Sequence, residues 1–223
     1  MQRPDVILFD VNETLSDLAP MARHLEAVGA PGHLAQVWFA STLRDGIALA
    51  AAGAAAPFAD IAAGALRGLL ATAELPGGLD AAVQEVLAGF AELDVHPDIP
   101  EGVAALAEAG LRLATLSNGA ASVAEGLLGR AGLLDRFERL LSVEDAGIWK
   151  PAPGAYRYGL EQCAVDAGRA MLVAVHPWDI DGASRAGLRT GWLNRDGLPW
   201  PGHFRAPDVE VVTLPALAEE LRG

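Results

Sequence analysis

The chain has 223 residues, with 16 basic against 29 acidic side chains and a formal charge of −13. A hydrophobic content of 52% with 20% charged residues excludes intrinsic disorder. The acidic balance argues against nucleic acid or an anionic membrane as a partner, because phosphate binding depends on clustered Lys and Arg; a small anionic substrate stays open, since it answers to the local field of its pocket.

A chain this long can bury about 70% of its unfolded surface and needs no disulfide or metal staple. Its single Cys, Cys163, excludes an intramolecular disulfide, fits a reducing cytoplasm and reads as a buried small hydrophobe. The N-terminal MQRPDVILFDVNETL places acids inside its apolar run and reads as no signal peptide, and no uninterrupted apolar stretch is long enough to span a bilayer. The expectation is a soluble cytoplasmic protein.

Asp5–Val11 is a short β-branched and aromatic run of buried-strand length. From Ser16 to about Leu93 the chain turns Ala- and Leu-rich with a 3.6-residue period, broken at 29–32, 53–57 and 76–78, which predicts about four helices. A strand follows at Leu111–Ser117, ended by Asn118-Gly119, and then a helix near 120–131. Further strands are expected at 139–143, 171–175, 190–193 and 209–213, with helices at 154–163 and 180–186 between them. Strands alternating with helices imply right-handed βαβ units and a parallel sheet. The fold class is therefore α/β: a Rossmann-like parallel-sheet core over 1–15 and 97–223, with an α-helical cap inserted over 16–96.

In open parallel sheets, ligands bind beyond the carboxyl ends of the strands. Four polar groups fall there: Asp10, Ser117-Asn118, Lys150 and Asp179. Each alone has a plain reading as a turn former or helix cap. Together, at successive strand ends, they outline one pocket.

The stretches Phe9-Asp10-Val-Asn-Glu-Thr14-Leu, Leu116-Ser117-Asn118-Gly119, Lys150-Pro-x-Pro-x-x-Tyr156 and Trp178-Asp179-x-x-Gly-Ala resemble the haloacid dehalogenase (HAD) superfamily, and within it the L-2-haloacid dehalogenases, over essentially the whole length. The resemblance implies the HAD fold and Asp10 as a nucleophile that forms an ester or acyl phosphate, later hydrolysed. Burial would neutralise such a carboxylate, and Lys150, a compact point charge, opposes that shift. It is also the single Lys beside fifteen Arg. Ser117 and Asn118, at a helix N-terminus, suit a substrate carboxylate or phosphate. Thr14 can fix the Asp10 rotamer. Asp179 reads either as the base for the attacking water or as a helix cap.

Asn12 decides between chemistries. Superfamily phosphatases usually carry an Asp two residues after the nucleophile to protonate the leaving alkoxide; Asn has no acidic proton, and a halide needs none. The resemblance therefore implies a hydrolytic dehalogenase of short 2-haloalkanoates, with no cofactor. The alternatives are a magnesium-dependent phosphatase with Mg²⁺ at Asp10 and Asp179, or a hydrolase of the same covalent type at a non-halide carbon. The family's halide-cradling Arg aligns through Trp38…Leu43-Arg44 with Arg44, which reads equally as a solvated helix Arg. Asn12 and Asn118 can share that cradle, Phe58 and Trp178 can wall it, and Tyr156 can bond the substrate or hold the cap. Two stretches depart from the family pattern: Asn12-Glu13 replaces an aromatic residue and Gly, and Ala174 and His176 replace small hydroxyl and Asn residues. His176 reads either as a donor near substrate or water, or as a satisfied structural His. The other histidines show no metal-ligand spacing. The resemblance also implies a homodimer.

Overall fold

The computed structural model describes residues 3–222. Its centre is a six-stranded, wholly parallel sheet of β1 (Val6–Phe9), β2 (Arg112–Ser117), β3 (Arg139–Ser142), β4 (Ala170–Ala174), β5 (Arg189–Leu193) and β6 (Val209–Val211). The strands lie in the order β3-β2-β1-β4-β5-β6, so the chain reverses direction across the sheet at β1, between β2 and β4. That switch point is where a doubly wound sheet opens a crevice at its carboxyl edge.

Strand periodicity of two sorts the central side chains into two apolar layers. Val6, Leu8, Ala114, Leu116 and Leu172 face one side. Ile7, Phe9, Leu113, Met171 and Val173 face the other. The second side is covered by α5 (Ile99–Glu108), α6 (Ala121–Arg130) and α10 (Leu214–Glu220), through Ile99, Val103, Leu106, Leu127, Leu128, Leu214 and Leu217. The first is covered by α8 (Pro153–Gln162) and α9 (Pro177–Arg185), through Ala155, Tyr156, Ile180 and Ala183. Both faces are buried, which explains why β1 reads as a continuous apolar run rather than an alternating one. A four-residue helix, α7 (Val143–Ala146), follows β3 directly.

Four helices separate β1 from β2: α1 (Met21–Ala27), α2 (Leu34–Ala51), α3 (Phe58–Leu70) and α4 (Leu79–Ala91). The chain leaves and rejoins the sheet at a single antiparallel bridge between Ser16 and Val95. Burial in α3 recurs at Phe58, Ala62, Leu66 and Leu70, one stripe at four-residue spacing. Phe58, Leu66 and Leu70 each gain about 1.5–3 kcal/mol from that burial. In α2 the buried positions are Trp38, Phe39, Thr42 and Gly46. Gly46 is required by packing: a Cβ there would lie 2.2 Å from Trp149 Cζ3. No helix among the described residues is long and apolar enough to cross a membrane.

The sheet follows the sequence expectation strand for strand. α9 departs from it by beginning at Pro177 rather than Ile180. Proline suits the first helical position, where its missing N–H is not needed. His176 is thus the N-cap residue, and Asp179 is the third residue inside the helix.

Candidate active site

Asp10 follows β1 directly, its backbone N–H donating to Val173 O at 3.0 Å. Its side chain is buried, and both oxygens are held. Lys150 Nζ donates to Oδ1 at 3.0 Å. The Thr14 hydroxyl donates to Oδ2 at 2.7 Å. Thr14 is itself fixed by Val175 N–H, which donates to its Oγ1 at 3.1 Å. The turn between Asp10 and Thr14 closes through Leu15 N–H to Val11 O at 2.8 Å.

Lys150 has no exposed surface and bridges two carboxylates, donating to Asp179 Oδ2 at 2.6 Å as well as to Asp10. The second Asp179 oxygen accepts from the Tyr156 hydroxyl at 2.6 Å. Asp179 is therefore engaged on both oxygens by side chains from other elements, which rules out the helix-cap reading. Asn118 clasps the Lys150 main chain: Oδ1 accepts from its N–H at 2.9 Å and Nδ2 donates to its carbonyl at 3.3 Å. That amide places the cation. Ser117 Oγ accepts from Gly119 N–H at 2.9 Å, shaping the turn that opens towards α6. Gly119 lies against the Asn12 amide, where an added Cβ would come within 3.4 Å of Asn12 Nδ2.

The environments of the two carboxylates push them apart. Burial raises Asp10, but Lys150, His176 and the Thr14 hydroxyl outweigh it and hold the carboxyl below its ordinary range. For Asp179 burial prevails over Lys150, and the nearby Asp10 charge adds to the rise. Lys150 is pulled down by burial and raised further by its two carboxylates, so it stays an ammonium. Burial, and then Asp179, push Tyr156 well above its ordinary value, leaving a neutral phenol donor. Titratable pairs driven apart in this way mark an ionised group beside a better base.

His176 lies at the same edge. Its Nε2 is 3.3 Å from Asn12 O, 3.6 Å from Glu13 Oε2 and 3.7 Å from Asp10 Oδ2. Its ring stacks on Trp178 at 5.1 Å and on Phe39 at 6.3 Å. Phe39 continues into an aromatic wall with Phe58 at 6.4 Å and Phe90 at 6.5 Å, and Phe58 stacks on Trp149 at 5.8 Å.

Asp10, Asn12, Thr14, Ser117, Asn118, Lys150, Tyr156, His176, Trp178 and Asp179 are thus gathered at the carboxyl edge of β1, β2 and β4. Arg44 is not. Its side chain is 69% exposed and pairs with Asp45 at 2.8 Å. The reason is helical geometry: the buried stripe of α2 passes through Thr42 and Gly46, and residue 44 falls about 200° round from 42. Phe39, on the buried face, is the α2 residue at the site, and the periodicity of α2 is the signal that finds it. Glu13 was missed because neighbouring positions on a turn give no facing rule.

The magnesium alternative holds a metal on Asp10 and Asp179 alongside a backbone carbonyl. The Lys150 ammonium bridges those two carboxylates, and no group of three His, Cys, Asp or Glu suited to a metal occurs among the described residues. The ammonium thus competes with a divalent cation for both carboxylates.

The carboxylate after β1, the turn after β2, the cation after β3 and the second carboxylate after β4 recur in one protein class. Residues 4–187 match the family of haloacid dehalogenase-like hydrolases, and the chain belongs to it. Among curated relatives it is 32% identical to haloacetate dehalogenase H-2 of Moraxella sp. (strain B) over 57% of each chain. It is 32% identical to the (S)-2-haloacid dehalogenase of Pseudomonas sp. (strain YL) over 63% of this chain and 61% of that one. The alignments thus span 57% and 61% of those relatives' lengths. The solved L-2-haloacid dehalogenase of Xanthobacter autotrophicus, with chloropropionic acid covalently bound, superposes with a TM-score of 0.88 at 26% identity, covering 99% of each chain.

Proposed function

We propose that the protein is a metal-free hydrolytic dehalogenase of short 2-haloalkanoic acids, working through an ester on Asp10. One observation carries the reading: Asp10 is a buried carboxylate kept ionised by Lys150 and Thr14, with Asn12 where a leaving-group acid would stand. Asp10 attacks C2 from the face opposite the halogen, expelling halide and inverting that centre. Water, deprotonated by Asp179, then adds to the Asp10 carbonyl carbon. Lys150 faces the Asp10 oxygen on which negative charge builds, the task of an oxyanion hole. The product is a 2-hydroxy acid.

Ser117 and the N-terminal end of α6 suit the substrate carboxylate. Phe39, Phe58 and Trp178 wall the halogen side in place of the expected Arg44. Residues 16–96 act as a cap over the core formed by 1–15 and 97–223. The relatives' names and the covalently bound chloropropionic acid in the Xanthobacter structure support the substrate class. The acidic charge and single thiol support a cytoplasmic enzyme, and the family resemblance supports a homodimer.

The test is halide release from L-2-chloropropionate and from chloro- and bromoacetate in EDTA, abolished by Asp10→Asn. A purified protein that releases no halide from any of them refutes the reading. Turnover of a generic phosphate ester only with added Mg²⁺ would establish the phosphatase instead.

A further inference from the structure

Halide departs without a proton, but the reaction has a second leaving group. When the Asp10 ester is hydrolysed, the oxygen that attacked C2 must leave Asp10 as the product's alkoxide. An alkoxide is a poor leaving group until it is protonated, and general acids supply about 10²–10⁴-fold to such steps. Asn12 cannot help, Tyr156 is committed to Asp179, and Lys150 holds the other Asp10 oxygen.

Two groups stand at Asp10 Oδ2: the Thr14 hydroxyl, which donates to it at 2.7 Å but is far too weak an acid to give up its proton, and His176. Around its Nε2 lie three acceptors, Asn12 O at 3.3 Å, Glu13 Oε2 at 3.6 Å and Asp10 Oδ2 at 3.7 Å, so this nitrogen carries a hydrogen. Phe39 and Trp178 hold the ring through stacking. The Glu13 side chain reaches it from a backbone in the left-handed region, φ 63°, which costs a non-glycine residue about 1–2 kcal/mol. That conformation is braced on both sides. His96 Nε2 donates to Glu13 O at 3.0 Å, and Glu13 N–H donates to Ser16 Oγ at 3.3 Å. Strain kept by dedicated contacts beside a nucleophile points to use. Burial raises the Glu13 carboxyl, with His176 opposing, so the carboxyl takes up a proton more readily than an ordinary Glu. Its side chain is 39% exposed and so reaches solvent.

We propose that His176 is the catalytic acid of the hydrolytic half-reaction and that Glu13 is its positioning residue, holding the imidazole towards Asp10 and linking it to solvent. The assignment rests on the dehalogenase reading above. In the first half, a bond forms between Asp10 Oδ2 and C2, and the carbon–halogen bond breaks with its electron pair leaving on the halide. In the second, the water oxygen bonds to Asp10 Cγ and one water proton passes to Asp179. The Cγ–Oδ2 bond then breaks, its electron pair stays on Oδ2, and that oxygen takes the Nε2 proton of the His176 imidazolium to leave as the product hydroxyl. The second water proton, left on the renewed Asp10 carboxyl, returns to His176. Each turnover releases one halide and one proton.

The experiment is rapid-quench turnover of L-2-chloropropionate by the wild type, His176→Gln and Glu13→Gln, reading halide by ion chromatography and the covalent ester by intact mass. Thermal melts check folding, and the partly exposed Glu13 provides a variant that disturbs no core packing. The expected result is a burst of one halide per site in both variants at a near-wild-type rate, followed by steady-state turnover slowed about 10²–10⁴-fold in His176→Gln and less in Glu13→Gln. The ester should accumulate in both variants and not in the wild type. Equal slowing of the burst and the steady state, or no ester in either variant, overturns the assignment. No halide from the wild type overturns the dehalogenase reading itself.

Discussion

Lys150→Met tests how much of the site rests on one nitrogen. At 3.0 and 2.6 Å from its two carboxylates, and with an effective dielectric of about 20, the ammonium is attracted by about 5.5 and 6.4 kcal/mol. Desolvation of three buried charges takes back most of that gross figure. Breaking a buried ion pair from one side typically costs about 3–5 kcal/mol, because the remaining charge is left unpaired. For a chain of this size about 1 kcal/mol moves Tm by roughly 2–4 °C, so the loss should be roughly 6–20 °C at neutral pH. The variant should also show a characteristic pH dependence. In the native protein Asp10 is lowered and Lys150 raised. Their stabilisation is therefore full between the unfolded values, about 3.9 and 10.4, and fades as pH falls through the folded Asp10 value or rises through the folded Lys150 value. Without the ammonium, burial is opposed only by His176 and Thr14 at Asp10 and by the Tyr156 hydroxyl at Asp179, so the folded values of both carboxylates rise. Stability then returns as pH falls through those raised values, and the deficit should narrow from pH 8 to pH 5. Scanning calorimetry of both proteins across that range measures it. A deficit under about 3 °C, or one that does not change with pH, would refute the reasoning.

Other variants separate the remaining contacts. Thr14→Val removes the donor to Asp10 Oδ2 and leaves Val175 N–H unpaired; it should cost about 1–3 kcal/mol by chemical denaturation and lower halide turnover at least tenfold. Gly182→Ala would set a Cβ 2.4 Å from the Tyr156 hydroxyl oxygen, pushing the phenol off Asp179; about 1–3 kcal/mol should be lost, and ester hydrolysis should slow more than halide release. Arg44→Ala should leave kcat/KM for L-2-chloropropionate unchanged and stability within about 1 kcal/mol, since only an exposed pair with Asp45 is lost.

The strand framework was legible because apolar runs such as 5–11 and 111–117 have one use in a chain of this composition, and the polar groups at their ends were legible for the same reason. Lys150 stood out as the only ammonium side chain and proved to be the bridging cation. Helix faces were legible in principle. The Trp38/Phe39, Thr42, Gly46 spacing already turns Arg44 outward, and only alignment by neighbouring letters suggested otherwise. What could not be read was the use of each polar atom. Asn118 turns to the Lys150 main chain because a loop 32 residues away folds back over it. Glu13 reaches His176 only because its φ is positive, and sequence offers no cue for that at a non-glycine residue. The start of α9 moved for a smaller reason, since Pro177 was as good a first helical residue as Ile180.

Trp149 precedes Lys150 in the chain, yet its ring lies against Gly46 of α2, its Nε1 donates to Ala56 O at 3.0 Å, and it stacks on Phe58 of α3. The indole is a peg from the sheet side seated in a socket of the inserted helices. Exchanging that insert between relatives to alter substrate range would therefore disturb the residue adjoining the ammonium. A working chimera has to carry the peg and its socket across together, with position 46 left without a side chain.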